Sequence, residues 1–317
     1  KHWSNSLGER ISFVKSTHSS FSLEDVFRFT TELSDGIDTT SFVQSHLLQP
    51  DVFLRIRPHC REQVIQTLQQ NAIAFTLEAD DCIRLPPTVN VENSLKLDKE
   101  VVVQDASSQQ IKKYLEPVRS PILNPQSEIP NPLSVWDCCA GSGGKSILSY
   151  DTFPNIELTA TDIRPSIIHN LRKRFQNAGI NHYRANVIDI TNTVGNVPAL
   201  KIAKGFDLII CDAPCTGSGT WSRTPEQLFF FTENKIDDYA TLQRSIVSNA
   251  IPLLKGGGYF LYITCSVFKK ENEEIIAFIK SKFHLQLVKM ELLKGYTKKA
   301  DSMFAGLFSS DTIAQPA

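Results

Sequence analysis

The sequence lacks an apolar run long enough to cross a membrane. Its longest apolar stretches, such as Phe206 to Cys211 and Tyr259 to Ile263, have the length of a β-strand, whereas a spanning helix needs roughly 20 residues. No signal peptide is visible. We therefore expect no membrane partner. The start at Lys1 rather than Met leaves open whether a segment precedes it.

A cysteine pattern suited to disulfides is also lacking. The seven cysteines are odd in number, whereas a secreted disulfide framework uses an even number. We expect reduced thiols in a cytoplasmic protein and no bound metal. Inert packing is the expected role of Cys60, Cys82, Cys138 and Cys211.

The excess of basic residues that is typical of nucleic-acid-binding proteins is absent. Lys and Arg number 33 against 34 Asp and Glu, a net charge of −1. Basic residues cluster only locally, at Lys112-Lys113, Arg172-Lys173-Arg174, Lys269-Lys270 and Lys298-Lys299. Such short clusters are typical of solvated helix and loop ends. Charge alone therefore does not indicate RNA binding.

From about Ser134 onward, the sequence alternates short apolar runs with amphipathic helical stretches. This alternation predicts an α/β fold with a parallel sheet flanked by helices. Predicted strands are Val135 to Cys138, Glu157 to Ala160, Tyr183 to Ile188, Asp207 to Cys211, Tyr259 to Thr264, Leu285 to Met290 and Met303 to Phe308. Predicted helices are Pro165 to Ala178, Lys235 to Leu254 (ended by Gly256, Gly257 and Gly258) and Glu271 to Lys282.

The preceding part of the chain has a different pattern. Val52 to Ile56 and Ile83 to Leu85 are strand-like and flank a helical stretch, Arg61 to Asn71. We predict an unassigned, helical N-terminal segment over residues 1–49 and a small α+β domain over 50–118. A Pro-, Ser- and Asn-rich linker follows over 119–133, and the sheet domain occupies 134–317.

A glycine-rich turn follows the first predicted strand of the sheet domain. Glycines at such a turn let the backbone approach a nucleotide-type ligand closely, and the next helix offers free N–H groups. The ending Gly144-Lys145-Ser146 resembles a phosphate-binding P-loop, which requires glycine five positions before Gly144. That position is Cys139. The P-loop interpretation therefore fails at a required residue.

The turn fits an S-adenosylmethionine site better. Such a site needs an acidic residue after the second strand for the ribose hydroxyls, and Asp162 stands there, about 20 residues after the glycines. A helix cap is the alternative role of Asp162. Asp189 is the candidate for the adenine amino group, with Asn186 as the alternative.

Two cysteines follow predicted strands at the edge where ligands of open α/β sheets bind. Cys215 stands in Asp212-Ala213-Pro214-Cys215, and Cys265 stands in Thr264-Cys265-Ser266. This arrangement suits methylation of carbon 5 of cytosine, because that carbon becomes nucleophilic only after a thiolate adds at carbon 6. A second group must then help remove the carbon-5 hydrogen, and an acid near ring nitrogen 3 stabilises the intermediate.

With these motifs, the sequence closely resembles the Nol/Nop/Sun family of RNA cytosine-5 methyltransferases, from about Val52 to Phe308. The resemblance implies a Rossmann-like class I methyltransferase sheet, a small RNA-recognition-like domain, S-adenosylmethionine as cofactor, and rRNA or tRNA as substrate. It implies that Cys265 is the nucleophile, that Cys215 assists product release, and that Asp212 contacts the target base beside the cofactor. Lys145 falls on an active-site lysine of the family. The implied cofactor loop comprises Cys139, Ala140, Gly141, Ser142, Gly143, Gly144 and Lys145.

The sequence also departs from the family pattern. Ser142 replaces the usual proline, and Ala140-Gly141 replaces Ala-Ala. A Pro-Cys motif is also used by DNA cytosine-5 methyltransferases, but the second cysteine, Cys265, favours the RNA enzymes. A methyltransferase for another substrate and a silent RNA-binding relative remain as alternatives. Neither the RNA nor the oligomeric state follows from the sequence.

Overall fold

The structure is a computed structural model that describes residues 6–122, 132–192 and 205–310. In these ranges no helix is long and apolar enough to span a membrane. Helices α1 (Leu7–Thr17) and α2 (Thr39–Ser45) precede a small antiparallel sheet with strand order β2-β3-β1-β4. The elements of this small domain are β1 (Val52–Ile56), α3 (Arg61–Gln70), β2 (Thr76–Ala79), β3 (Cys82–Leu85) and β4 (Val101–Val103).

Helices α4 (Ala106–Gln109) and α5 (Lys112–Ile122) follow the small sheet. The predicted linker, residues 119–133, therefore begins inside α5, and its residues 123–131 lie outside the described part of the chain. Residues 193–204 and 311–317 of the predicted sheet domain lie outside it as well.

Within the described ranges, the larger sheet has seven strands in the order β10-β11-β9-β8-β5-β6-β7. Five are parallel and two, β10 and β11, are antiparallel to their neighbours. The strands are β5 (Leu133–Asp137), β6 (Ile156–Asp162), β7 (Tyr183–Val187), β8 (Phe206–Asp212), β9 (Leu254–Thr264), β10 (Gln286–Leu293) and β11 (Met303–Ser309). The flanking helices are α6 (Gly144–Thr152), α7 (Pro165–Asn177), α8 (Pro225–Phe230), α9 (Asn234–Ala250) and α10 (Glu273–Phe283). The predicted fold class is confirmed.

One predicted helix boundary is wrong. Helix α9 ends at Ala250, a 3₁₀ turn covers Ile251–Leu253, and Gly256, Gly257 and Gly258 belong to β9 instead of ending the helix. Proline at position 252 cannot supply the N–H that a continuing helix needs. The glycines then extend beside β8. Glycine is needed at position 258 because an added Cβ would lie only 3.1 Å from the carbonyl oxygen of Asp207 in β8.

A buried ion-pair cluster fixes the small domain against the larger sheet domain. Asp151 of α6 accepts hydrogen bonds from Arg55 and Arg57 of the small domain, each at 2.6 Å, and its side chain is 6% exposed. Arg174 of α7 pairs with Asp98 of the small domain and also donates to the carbonyl oxygen of Ser142 at 3.0 Å. The small domain thus supports the helices that carry the glycine-rich turn.

The N-terminal segment, for which the sequence indicated no role, packs beside the cysteine loops. Phe27 is fully buried, and its ring lies 6.0 Å from Trp221 and 6.1 Å from Phe268. These two residues follow Cys215 and Cys265 by six and three positions, respectively. Residues before the small domain therefore cover one side of the region that contains both cysteines.

Candidate active site

The loops with the predicted functional residues follow β5, β6, β7, β8 and β9, at the carboxyl edge of the sheet. Parallel strands present their carboxyl ends at one edge, which is where open α/β sheets bind ligands. The loops after β8 and β9 touch directly, because the N–H of Gly219 donates to the carbonyl oxygen of Cys265 at 2.9 Å. Tertiary structure therefore brings together motifs that are 50 residues apart in the chain.

The two predicted catalytic cysteines are in contact. The Sγ atoms of Cys215 and Cys265 lie 3.3 Å apart, and both residues are partly exposed. The hydrogen bond to Cys265, together with burial, raises the pKa of Cys215 well above its ordinary value. Cys215 therefore keeps its proton near neutral pH, and by geometry either sulfur can be the donor in this contact.

An ion pair lies beside the thiols. Lys145 Nζ donates to Asp212 Oδ2 at 2.8 Å, and the lysine side chain is 9% exposed against 30% for the aspartate. Burial acts to lower the pKa of Lys145, but the carboxylate of Asp212 outweighs it and the pKa is raised. Cys265 acts in the same direction, so the lysine cation lies within electrostatic reach of that sulfur.

The glycine-rich turn uses backbone conformations that glycine favours. Gly141 and Gly143 have φ angles of +53° and +87°, in the left-handed region. A Cβ added at Gly143 would lie 2.7 Å from Phe175, whereas a Cβ added at Gly141 would meet no atom of the described residues within 4 Å. Gly143 therefore packs against α7, and Gly141 leaves room in which a ligand can approach the backbone.

The carboxylate of Asp162 organises the same turn. It accepts from the N–H of Gly141 at 3.0 Å and from the side chain of Arg164 at 2.8 Å. Burial acts to raise the pKa of Asp162, but the hydrogen bonds from Arg164 outweigh it, and the pKa lies below its ordinary value. Asp162 is thus an ionised acceptor at the end of β6. It also accepts from the N–H of Arg164, but Arg164 is the N-cap residue of α7 and no side chain caps that helix, so the alternative role of Asp162 as a helix cap is wrong.

These groups fit the chemistry of S-adenosylmethionine. A carboxylate after the second strand of the domain suits the ribose hydroxyls, and the first N–H groups of α6 have no partner within the helix. Asp189 lies two residues beyond β7 and accepts from Thr191 N–H and Oγ1 at 2.9 and 2.6 Å. Asn186 lies within β7, beside Thr161 of β6. It stays a prediction that the cofactor is held by the turn from Cys139 to Lys145, Asp162, Asp189 and Asp212.

Comparison with known proteins identifies the family. A family model for the 16S rRNA methyltransferase RsmB/F matches residues 121–307. The chain belongs to this family. Its membership confirms the predicted Nol/Nop/Sun relationship, and S-adenosylmethionine is the methyl donor of the family.

Individual relatives agree with this family. Ribosomal RNA small subunit methyltransferase B of Serratia proteamaculans is 28% identical over 247 residues, which are 76% of this chain and 53% of the relative. The chain thus spans about half the length of the curated relatives that it matches. A methyltransferase homolog of Pyrococcus horikoshii shares the fold with a TM-score of 0.69 and 18% identity, covering 94% of this chain and 98% of that one. NSun6 from Pyrococcus horikoshii with SFG has a TM-score of 0.70 and 13% identity, covering 91% and 96%.

Sequence reasoning missed a buried polar cluster behind the RsmB/F-family cysteines. Its centre is Glu271, which is fully buried and bonded to the residues that follow Cys215 and Cys265. The sequence feature that could have revealed this cluster is Glu271-Asn272, shortly after the Thr-Cys-Ser motif. An acidic residue at that place is also typical of the start of a helix, so it did not indicate a buried role. The structure places Glu271 before α10, in a 3₁₀ turn.

Three further thiols lie together where the glycine-rich turn begins. The Sγ atoms of Cys138, Cys139 and Cys211 all lie within 4.8 Å of one another. Burial raises the pKa of Cys138, whereas hydrogen bonds from Cys138 and Cys139 lower that of Cys211 to about 6. Thiol sets of this kind can bind soft metal ions. The absence of a bound metal therefore stays a prediction, as does inert packing for Cys138 and Cys211.

Proposed function

We propose that this chain transfers a methyl group from S-adenosylmethionine to carbon 5 of a cytosine in RNA, through a covalent cysteine adduct. The observation that carries the proposal is the contact of two thiols, Cys215 and Cys265, at 3.3 Å beside the Lys145–Asp212 ion pair. A methyltransferase acting on a more nucleophilic atom needs no such pair. The names of the relatives, ribosomal RNA small subunit methyltransferases, favour ribosomal RNA as the substrate class.

Cys265 is the better nucleophile of the two. Cys215, whose raised pKa keeps it protonated, can donate to the Cys265 sulfur at 3.3 Å, and Lys145 is the cation that acts on the same sulfur. Hydrogen-bond donors and cations beside a cysteine favour its role as a nucleophile. Attack forms a bond from Sγ to carbon 6 and shifts electron density to carbon 5. Carbon 5 then takes the methyl group that the bound cofactor supplies.

Asp212 and Cys215 serve the steps on either side of methyl transfer. The Asp212 side chain is 30% exposed, so its carboxyl group can face ring nitrogen 3 and the exocyclic amine of the base. Once a base has removed the carbon-5 hydrogen, the ring double bond re-forms and the Cys265 sulfur leaves. Cys215 lies in hydrogen-bond contact with that leaving sulfur, which supports its role in product release.

The target base must reach thiols that lie within a loop-lined site. A base stacked or paired within a helix cannot do so, and base-modifying enzymes swing the nucleotide out of its stack. We therefore expect single-stranded RNA, or an unpaired position, to be the better substrate.

The decisive experiment follows methyl transfer to RNA and the covalent adduct together. The protein is incubated with cellular RNA and methyl-labelled S-adenosylmethionine, followed by nucleoside analysis, for wild type, Cys265→Ala and the control Cys60→Ala in the small domain. We expect label in 5-methylcytidine for wild type and control, and none for Cys265→Ala, which should still bind the cofactor.

The Cys215→Ala variant tests the release step. It should retain RNA as a covalent adduct, seen as a slowly migrating band on a denaturing gel, and the double variant with Cys265→Ala should not. Label in another nucleoside, or in protein, would overturn cytosine specificity. Cofactor binding without transfer to any RNA fraction would favour a silent RNA-binding relative.

A further inference from the structure

Glu271 accepts hydrogen bonds from both cysteine loops, and among the described residues none of its hydrogen bonds is to a thiol. Its side chain is fully buried. Oε1 accepts from the hydroxyls of Thr216 and Ser266 at 2.6 and 2.5 Å. Oε2 accepts from the N–H of Thr216 at 3.0 Å and from Gln243 at 2.9 Å. One carboxylate thus joins the residue after Cys215 to the residue after Cys265.

The rest of the cluster extends the same connection. Ser218, on the first loop, bonds to the hydroxyl of Ser266 at 3.1 Å and accepts from the N–H of Val267 at 2.9 Å. All of these groups are buried, where an unmatched donor is costly. The relative position of the two loops is therefore set by polar contacts that centre on Glu271 and by the backbone bond from Gly219 to Cys265.

Glu271 is itself held in place. Its carbonyl oxygen accepts from the hydroxyl of Tyr262 at 2.7 Å. The next residue, Asn272, accepts from Thr264 at 2.6 Å and donates to the carbonyl oxygen of Ser266 at 3.0 Å. These bonds hold the backbone of Glu271 in place, so its carboxylate has a defined position and restricts the positions of the groups that it binds. Neutral side chains of similar size cannot offer two oxygens to four donors.

We propose that Glu271 is a positioning residue that holds the sulfurs of Cys215 and Cys265 at contact distance. That this contact serves catalysis rests on the proposed function, in which the two thiols act on the same base. The claim that Glu271 sets the distance between the sulfurs is separate, because the separation of the two thiols can be measured without RNA or cofactor.

The measurement is the thiol–disulfide equilibrium of this pair. Two thiols and one glutathione disulfide yield the Cys215–Cys265 disulfide and two reduced glutathione molecules, so the equilibrium constant is an effective concentration of one thiol at the other. Mass spectrometry of the peptide that joins both cysteines separates this pair from the other five cysteines. The sulfurs need to approach only from 3.3 Å to bonding distance, about 2 Å.

The variant is Glu271→Gln, which places an amide donor against hydrogen-bond donors. We expect the effective concentration to fall roughly ten- to hundredfold, the loss expected for hydrogen bonds to a charged group. The matched control is Glu274→Gln, whose side chain is 46% exposed and pairs with Arg244 at the surface; it should match wild type. An unchanged effective concentration in Glu271→Gln would overturn the proposal, even if the melting temperature fell. Loss of a residue that only stabilises the fold would lower stability without changing the separation of the two thiols.

Two milder variants keep the test decisive if Glu271→Gln does not fold. Ser266→Ala and Thr216→Val each remove one hydroxyl that binds Glu271 and should lower the effective concentration roughly three- to tenfold. Wild-type values in both would also overturn the proposal. An enzyme that shows these shifts but methylates no RNA would instead contradict the proposed function alone.

Discussion

Replacing Gly143 by alanine should destabilise the protein more than the same change at either neighbouring glycine. Gly143 has a φ angle of +87°, and an added Cβ would lie 2.7 Å from Phe175 and 3.3 Å from Leu171. Phe175 is fully buried and packs edge-to-face on Tyr183 at 4.9 Å, so its ring has little room to move. Two penalties, backbone strain and overpacking, therefore coincide at this position.

The expected size follows from adding the two penalties. A left-handed conformation costs an L-residue about 1–2 kcal/mol, and overpacking a core costs about 1–3 kcal/mol. Gly143→Ala should thus lower the free energy of unfolding by about 2–5 kcal/mol. Gly141→Ala, with a φ of +53° and an open surrounding, should lose only the strain, about 1–2 kcal/mol. Gly144→Ala, in α6 with open space around it, should lose nothing or gain up to about 1 kcal/mol.

Urea unfolding of the three variants, at constant m-value, measures these differences. The same proteins titrated with S-adenosylmethionine by calorimetry separate stability from binding. We expect Gly141→Ala to weaken cofactor binding, because its Cβ would enter the open side of the turn, although it should lose less stability than Gly143→Ala. Equal stability of Gly143→Ala and Gly141→Ala, within about 0.5 kcal/mol, would refute the role of Phe175 in restricting this position.

Two further predictions concern the carboxylates of the site. Asp162→Asn should weaken S-adenosylmethionine binding roughly ten- to hundredfold, whereas Glu157→Gln, exposed on the same strand, should leave calorimetric affinity unchanged; equal affinities in both would remove Asp162 from the ribose site. Burial raises the pKa of Asp137 to about 7, above its value in the unfolded chain, so between these two pKa values the folded state binds the extra proton. As pH rises from about 4 to 7, wild type should therefore lose stability relative to Asp137→Asn. The loss should be at most about 1.4 kcal/mol per pH unit. Unfolding free energies at pH 5 and pH 8 check this, and parallel curves for the two proteins would contradict it.

Most of the larger sheet was predictable because its strands are short, apolar and separated by recognisable helices. Pro165 at the first turn of α7 and Gly179, with a φ of +72°, mark that helix as the pattern indicated. The small domain was less evident. Strand β2 is exposed along its whole length, so it lacks the apolar alternation on which strand prediction depends.

The functional motifs follow from local sequence, but their relation in space does not. The glycine-rich turn, Asp162 and the two cysteine motifs each sit at the end of a predicted strand, and the edge rule for parallel sheets places them together. That rule carries no distances. Only the register of β8 and β9 and the contact between their loops bring the sulfurs of Cys215 and Cys265 to 3.3 Å.

The sequence by itself determined the fold class, the family and the candidate residues, because periodicity and short motifs are properties of neighbouring positions in the chain. Tertiary structure alone decided which groups share a buried environment. The position of Glu271 between Thr216 and Ser266, and the packing of Phe27 near Trp221 and Phe268, join segments far apart in the chain. Burial then sets hydrogen-bond partners and pKa values, and no pattern of adjacent residues contains that information.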